Sequence, residues 1–299
     1  DQTYPNIEIV AVDNGSTDSS REILNEFASR ATLLLFEKNE PVTKRMNQAL
    51  AKCTGEYISI LFSDDVYVPE KIEVQMEAFS KLGPEYGVVY GPGLRKNIFT
   101  GEIWQEFPVC LSGYILKPLL RGWFRGGMIH PIAPLARRQC FRDFPYEETI
   151  FAEGEGIYLR IATKYHFLYL PQPLVIMTEH DMNMGKAVRE NLGLCIQILD
   201  VLESESNFPA SLRTELNRAR AEMYCLYGWQ AVRVAYDAKW ARTCVKNIFK
   251  YRPTHFLSLK GSLILLGSLL PSRLLKCVNE GERKFRPQRM IVRVKEGYA

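Results

Sequence analysis

Two adjacent carboxylates, Asp64 and Asp65, close the apolar run Tyr57 to Phe62. Crowding two anions at a strand end costs free energy unless a cation, a cluster of donors or water offsets their repulsion. Mg²⁺ and Mn²⁺ take oxygen ligands, and Mg²⁺ commonly binds one or two carboxylates together with substrate phosphates and water. The pair therefore suits a divalent cation that itself holds a phosphate. The same dipeptide, standing before Val66-Tyr67-Val68-Pro69, also suits a turn leading into a helix opened by Pro69.

The elements around the pair alternate as in a doubly wound α/β sheet. Ile7 to Val12 reads as a β-branched strand, and Asp13-Asn14-Gly15-Ser16-Thr17-Asp18 as a polar loop capping a helix from about Ser19 to Arg30. Ala31 to Phe36 reads as a strand, Lys44 to Lys52 as a helix closed by Gly55, and Tyr57 to Phe62 as the next strand. A helix from Pro69 to Lys81 leads to strand Gly87 to Tyr90, and Thr100-Gly101 turns a hairpin between Lys96 to Phe99 and Ile103 to Phe107. Ligands of such sheets gather beyond the carboxyl ends of the strands, where both acidic loops lie.

With 299 residues, 46% hydrophobic and 24% charged, the chain is long enough for one large α/β domain with an appendage. Its seven cysteines are scattered and never spaced as CxxC, which suits free thiols in a reducing compartment rather than a zinc site. The net charge of +4 is uneven: residues 239–299 hold 14 Lys or Arg against 3 Glu, and the rest 24 against 31 Asp or Glu. A basic tail faces nucleic acid or an anionic membrane, and the apolar run Leu263 to Leu270 inside it favours the membrane. Lys260 and Pro271 bracket about ten uncharged residues where roughly twenty are needed to cross. The segment therefore reads as a surface element, or equally as a core helix with a solvated basic face. No signal peptide is visible.

The stretch Tyr4 to Asp18, then Asn39, Lys44-Arg45-Met46-Asn47-Gln48-Ala49-Leu50, Gly55-Glu56-Tyr57-Ile58, Ser63-Asp64-Asp65 and Pro69-Glu70-Lys71, resembles in order and spacing the family 2 glycosyltransferases. The resemblance covers residues 4 to about 183. It implies the GT-A fold, a Rossmann-like α/β/α sandwich on a mixed, mostly parallel central sheet, over residues 1–184, with the family's first strand preceding this chain. Residues 185–299 would form a helical, basic extension. Asp13 resembles the acid that accepts a hydrogen bond from the nucleotide base, usually uracil, and Arg45 a basic residue near the diphosphate. Asp64 and Asp65 correspond to the DxD-type motif that holds Mn²⁺ or Mg²⁺ against the phosphates, and His180 to a histidine that some members bring towards that metal.

Two positions depart from the family. Phe62 stands where a further Asp often precedes Ser63, and Gly154 stands where the resemblance expects the catalytic Asp. An inverting transferase needs a carboxylate to take the proton of the attacking hydroxyl. Glu153 and Glu155 flank the vacant position and are each one methylene longer than Asp; Glu153 is slightly favoured, and both also suit the charge expected at a helix N-terminus. Trp123 has the aromatic face on which an acceptor sugar stacks or a core forms. His130 reads as structural. The expected protein is an inverting transferase using a nucleotide-sugar donor, a UDP-sugar, and a saccharide or lipid-linked acceptor at the cytoplasmic membrane face, with no nucleic-acid partner. The alternatives are a decayed nucleotide-sugar binding protein and a sugar nucleotidyltransferase.

Overall fold

The computed structural model describes residues 2–122, 129–180 and 188–276, with side chains in the last stretch from residue 192 onward. Trp123 and Cys277 lie outside the described residues.

The chain opens with β1 (Val10–Asn14), α1 (Ser20–Glu26) and β2 (Thr32–Phe36), and the two strands pair in parallel. Next come α2 (Val42–Leu50), β3 (Tyr57–Ser59), β4 (Val66–Tyr67), α3 (Lys71–Phe79) and β5 (Tyr86–Tyr90). The hairpin of β6 (Gly93–Asn97) and β7 (Ile103–Glu106) follows, with Gly101 at φ +69° in its turn. α4 (Leu116–Gly122), β8 (Leu135–Arg137), α5 (Arg138–Asp143), α6 (Gly156–Ile161), β9 (His166–Tyr169) and β10 (Val175–Glu179) complete the sheet region. Four longer helices follow: α7 (Val188–Ser204), α8 (Arg213–Arg233), α9 (Ala238–Tyr251) and α10 (Leu259–Leu269).

Hydrogen bonding divides the strands into β1-β2, β4-β10-β6-β7 and β3-β8-β5-β9. The strand pairing is mixed, as expected, but not mostly parallel: β1 with β2, β10 with β6 and β5 with β9 are parallel, while β3 with β8, β5 with β8, β6 with β7 and β4 with β10 are antiparallel. One local expectation changes. The strand expected over Tyr57 to Phe62 stops at Ser59, and Val66-Tyr67, read as the approach to a helix, pairs antiparallel with β10 instead.

One apolar core runs through both the sheet and the C-terminal helices. Ile58, Val88, Tyr90, Ile157 and Phe167 pack in the same cluster as Leu199 and Leu202 of α7 and Leu216 of α8. Each such side chain withdrawn from water contributes about 1.5–3 kcal/mol, so α7 and α8 help hold the sheet. Among the described residues no helix is long and apolar enough to cross a membrane.

Candidate active site

At the end of β1, Asp13 is buried and accepts hydrogen bonds from the Gly15 and Ser16 amides and from Arg21 Nε at 2.9 Å. Burial opposes ionisation, but Ser16, Arg21 and the backbone amides together hold its carboxyl below the ordinary aspartate range. Gly15 sits at φ +87°, and a Cβ there would stand 2.8 Å from Asn39 N and Lys38 C. Only glycine fits that close approach of the two loops.

Asn14 ties β1 to the loop after β2. Its Nδ2 donates to Asn39 Oδ1 and to the Glu40 carbonyl, both at 2.8 Å, and its Oδ1 accepts from Arg45 Nε at 2.8 Å. Arg45 lies 3.6 Å over the Phe36 ring and also donates to Gln48, the Lys38 carbonyl and the Glu40 carboxylate. Four of its five N–H groups are therefore directed inside the protein. This corrects the expectation of a guanidinium fork presented to the diphosphate: Arg45 is a buried brace of the loop that carries Asp13.

On its other side α2 grips the segment before α6. Thr43 Oγ donates to the Ile150 carbonyl at 2.6 Å, Asn47 Nδ2 donates to the Tyr146 carbonyl at 2.9 Å, and Asn47 Oδ1 accepts from the Tyr146 amide at 2.9 Å.

The acidic pair is held by the β4–β10 pairing, which sets the end of β10 beside residues 64 and 65. His180 Nε2 lies 3.1 Å from Asp64 Oδ2. Asp65 Oδ1 accepts from the Thr178 amide at 2.9 Å, and Thr178 Oγ1 donates to the Asp64 carbonyl. Burial pushes the Asp65 carboxyl up, and the Thr178 amide pulls it back. Behind the loop, the wholly buried Lys71 donates to Ser59 Oγ at 2.7 Å and Gln75 Oε1 at 2.9 Å. Burial drives its pKa well below the usual lysine value.

These residues fit a divalent cation in part. Asp64 and His180, in hydrogen-bond contact with each other, are the two groups here that would hold such an ion. Asp65 is turned onto Thr178, and among the described residues no group of three metal-binding side chains converges. Of the three residues expected at a metal, Asp64 and His180 are brought into contact, while Asp65 anchors their loop through the Thr178 amide. A carboxylate oxygen and an imidazole nitrogen suit Mn²⁺ better than the all-oxygen preference of Mg²⁺.

The two glutamates have different fates. Glu153 is buried, paired with Arg160 at 3.1 Å, and accepts from the Glu147 amide at 3.0 Å. Arg160 also binds Glu205 at 2.5 Å and the Pro145 carbonyl at 2.8 Å. Enclosed in that network, Glu153 cannot meet an acceptor hydroxyl, which corrects the preference for it. Glu155, at the start of α6, is partly exposed and has no ion-pair partner among the described residues. Burial of its carboxyl raises the pKa, opposed by its own amide and by Arg95. Gly154 between them sits at φ +52°, and a Cβ there would meet nothing within 4 Å.

Arg95 and His130 belong to the same neighbourhood and were not expected there. Arg95 of β6 is held by Glu106 and Glu179, each at 2.8 Å, and its charge acts on Asp65, Glu155 and His130. The His130 imidazole is pushed down to about 3, by burial first and by Arg95 second, and its Nδ1 is buried without a hydrogen-bond partner among the described residues. An isolated Arg in a short strand and an isolated His carry no spacing that marks them in sequence.

Residues 1–135 match the profile of glycosyl transferase family 2. Through that span the chain is similar to glycosyl transferase family 2. Beyond the family 2 match, it is 41% identical over 194 residues to the glycosyltransferase GlyG of Streptococcus pneumoniae serotype 4, covering 60% of this chain and 61% of GlyG. It is 35% identical over 112 residues to the putative teichuronic acid biosynthesis glycosyltransferase TuaG of Bacillus subtilis, covering 34% of this chain and 44% of TuaG. The chain spans between 22% and 61% of the length of the curated relatives it matches. Among solved structures, Staphylococcus aureus TarS 1–349 in complex with UDP superposes with a TM-score of 0.63 at 14% identity, over 97% of this chain and 87% of that one. A mannosyltransferase of Pyrobaculum calidifontis, in complex with GDP-Man and Mn²⁺, superposes at 0.54 and 16% identity, over 94% and 81%. At such identities the likeness shows the fold, which is the GT-A fold.

Proposed function

We propose that this chain is an inverting glycosyltransferase that moves a sugar from a nucleoside diphosphate donor to a hydroxyl acceptor. The observation that carries the reading is the convergence of Asp64 and His180, with Arg95 acting on both the neighbouring Asp65 and Glu155. A cation site and a raised-pKa carboxylate near one another are what the reaction requires. The TarS complexes with UDP and UDP-GlcNAc support a uridine donor, although the mannosyltransferase complex holds GDP-Man.

In this reading Asp13 faces the base of the nucleotide, and Arg45 holds the Asp13 loop in place. Asp64 and His180 hold Mn²⁺, or less favourably Mg²⁺, which when bound neutralises charge on the departing diphosphate. Glu155 takes the proton of the attacking hydroxyl, and Glu153 fixes Arg160 beneath it. TuaG's assignment to teichuronic acid biosynthesis supports a saccharide acceptor in a cell-surface polymer or glycolipid. A lipid-linked acceptor at the cytoplasmic membrane face agrees with the basic, leucine-rich C-terminal helices.

The test is a screen of Mn²⁺-dependent binding and turnover over uridine, guanosine, thymidine and cytidine diphosphate sugars, run on this chain and on Glu155→Gln. One donor should bind and turn over, and Glu155→Gln should keep donor binding while losing about 10²–10⁴-fold in turnover. Binding without turnover in the unaltered chain, with saccharide acceptors supplied, would instead support the decayed site that Gly154 suggests. Formation of a nucleotide sugar with release of pyrophosphate would make it a nucleotidyltransferase.

A further inference from the structure

α10 has two faces of different fate. Gly261, Ile264, Gly267 and Ser268 are buried. Glycines make the contact with α8 close: a Cβ at Gly267 would stand 2.6 Å from Val232 Cγ1, and one at Gly228 3.1 Å from Ile264 Cγ2. That packing fixes the rotation of α10. Its opposite face carries Leu259, Leu263 and Leu266, spaced by four and three residues, so they form one row, and Leu270 follows just past the helix end. All four are exposed, Leu259 by 78% and Leu266 by 60%, and Leu257, Leu269 and Leu274 extend the patch. A row of exposed leucines this long marks an interaction surface rather than ordinary surface scatter.

The charge around the row selects its partner. From Lys239 to Lys276 the chain carries eight Lys or Arg and no Asp or Glu. Lys260 stands at one end of the row and Arg273 and Lys276 at the other, all exposed. A second copy of this face would set cations against cations with no acid to offset them. A surface that offers both apolar depth and anionic groups removes that conflict, and a bilayer with anionic headgroups is such a surface. Eleven residues of helix span only about 16 Å, so α10 lies along a bilayer instead of crossing it.

We propose that the leucine face of α10 is a monotopic docking surface for a membrane with anionic headgroups, its leucines entering the acyl boundary and Lys260, Arg273 and Lys276 meeting headgroup phosphates. The proposal deepens the lipid-linked acceptor reading but does not depend on catalysis, because its readout is partitioning without donor.

The test is co-sedimentation of the full chain with vesicles of phosphatidylcholine alone and of phosphatidylcholine mixed with phosphatidylglycerol, at low and high salt. Two variants accompany it, Leu263→Gln with Leu266→Gln, and Lys260→Gln with Arg273→Gln, with Tm and donor binding followed as checks on folding. The unaltered chain should prefer the anionic vesicles and lose them as salt rises, and each variant should partition about tenfold or more weakly at unchanged Tm. Equal partitioning to both vesicles, or variants that bind like the unaltered chain, would overturn the proposal. So would a dimer in sedimentation velocity, without vesicle binding, that the leucine variant abolishes, since the face would then join two copies.

Discussion

Asp64 Oδ2 and His180 Nε2 stand 3.1 Å apart, although 116 positions separate them in the chain. The β4–β10 pairing, in the register of Val175 with Tyr67 and Ile176 with Val66, brings them together with the bonds of Thr178 to Asp64 and Asp65.

Removing either partner should therefore remove the cation. Asp64→Asn and His180→Ala are each expected to weaken Mn²⁺ binding by at least about 10–100-fold, the loss seen even when only a supporting group of a metal site is changed. Titration of Mn²⁺ by electron paramagnetic resonance, without donor, checks it. Asp65→Asn should cost less Mn²⁺ affinity, because Asp65 anchors the loop through the Thr178 amide.

Glu153 and Glu155 should separate stability from chemistry. Glu153→Ala removes one of the two carboxylates that hold the buried Arg160, Glu205 remaining, and is expected to lose about 1–3 kcal/mol in urea unfolding. Glu155→Gln should do the reverse. Burial raises the Glu155 pKa above its ordinary 4.5, so the folded state favours the protonated acid. Below 4.5 the residue carries no penalty, and the penalty grows as pH rises towards the folded pKa. Glu155→Gln is thus expected to be more stable than the unaltered chain at neutral pH and equal to it near pH 4. As a base, Glu155 should also give kcat/KM an acid limb above pH 4.5 that the variant lacks.

Gly15→Ala should damage the donor loop. At φ +87°, with Asn39 N 2.8 Å from the new Cβ, the backbone must shift, and we expect a loss of about 1–3 kcal/mol. Thermal unfolding and donor titration should report it together.

Arg45→Lys keeps the charge and loses the planar fork. A lysine cannot reach Asn14, Gln48, Lys38 and Glu40 at once, so buried acceptors are left without donors, at about 1–3 kcal/mol. Donor KM is expected to rise with little change in kcat.

The acidic loops were legible because their residues are contiguous: Asp13 to Asp18 and Asp64-Asp65 state chemistry and position in one short stretch. The choice between Glu153 and Glu155 was not, because Arg160, Glu205 and the Glu147 amide decide it, and only the folded chain gathers them. Arg45 misled for a related reason. Its type suited a diphosphate, while its burial over Phe36 and its partners are set by the loop after β2. The β4 strand was lost in sequence because two residues carry no periodicity and their partner strand lies more than a hundred positions away.

α2 carries Arg45 and Asn47 two positions apart, one holding the loop of Asp13 and the other the segment that leads to Glu155. A helix of nine residues is a rod about 13 Å long. The spacing between the donor loop and the glutamate is therefore set by a stiff spacer and not by two independent loops. In the proposed reading, the entropy of aligning the reacting groups would be lost once, when the chain folds, and not again in each encounter with substrate.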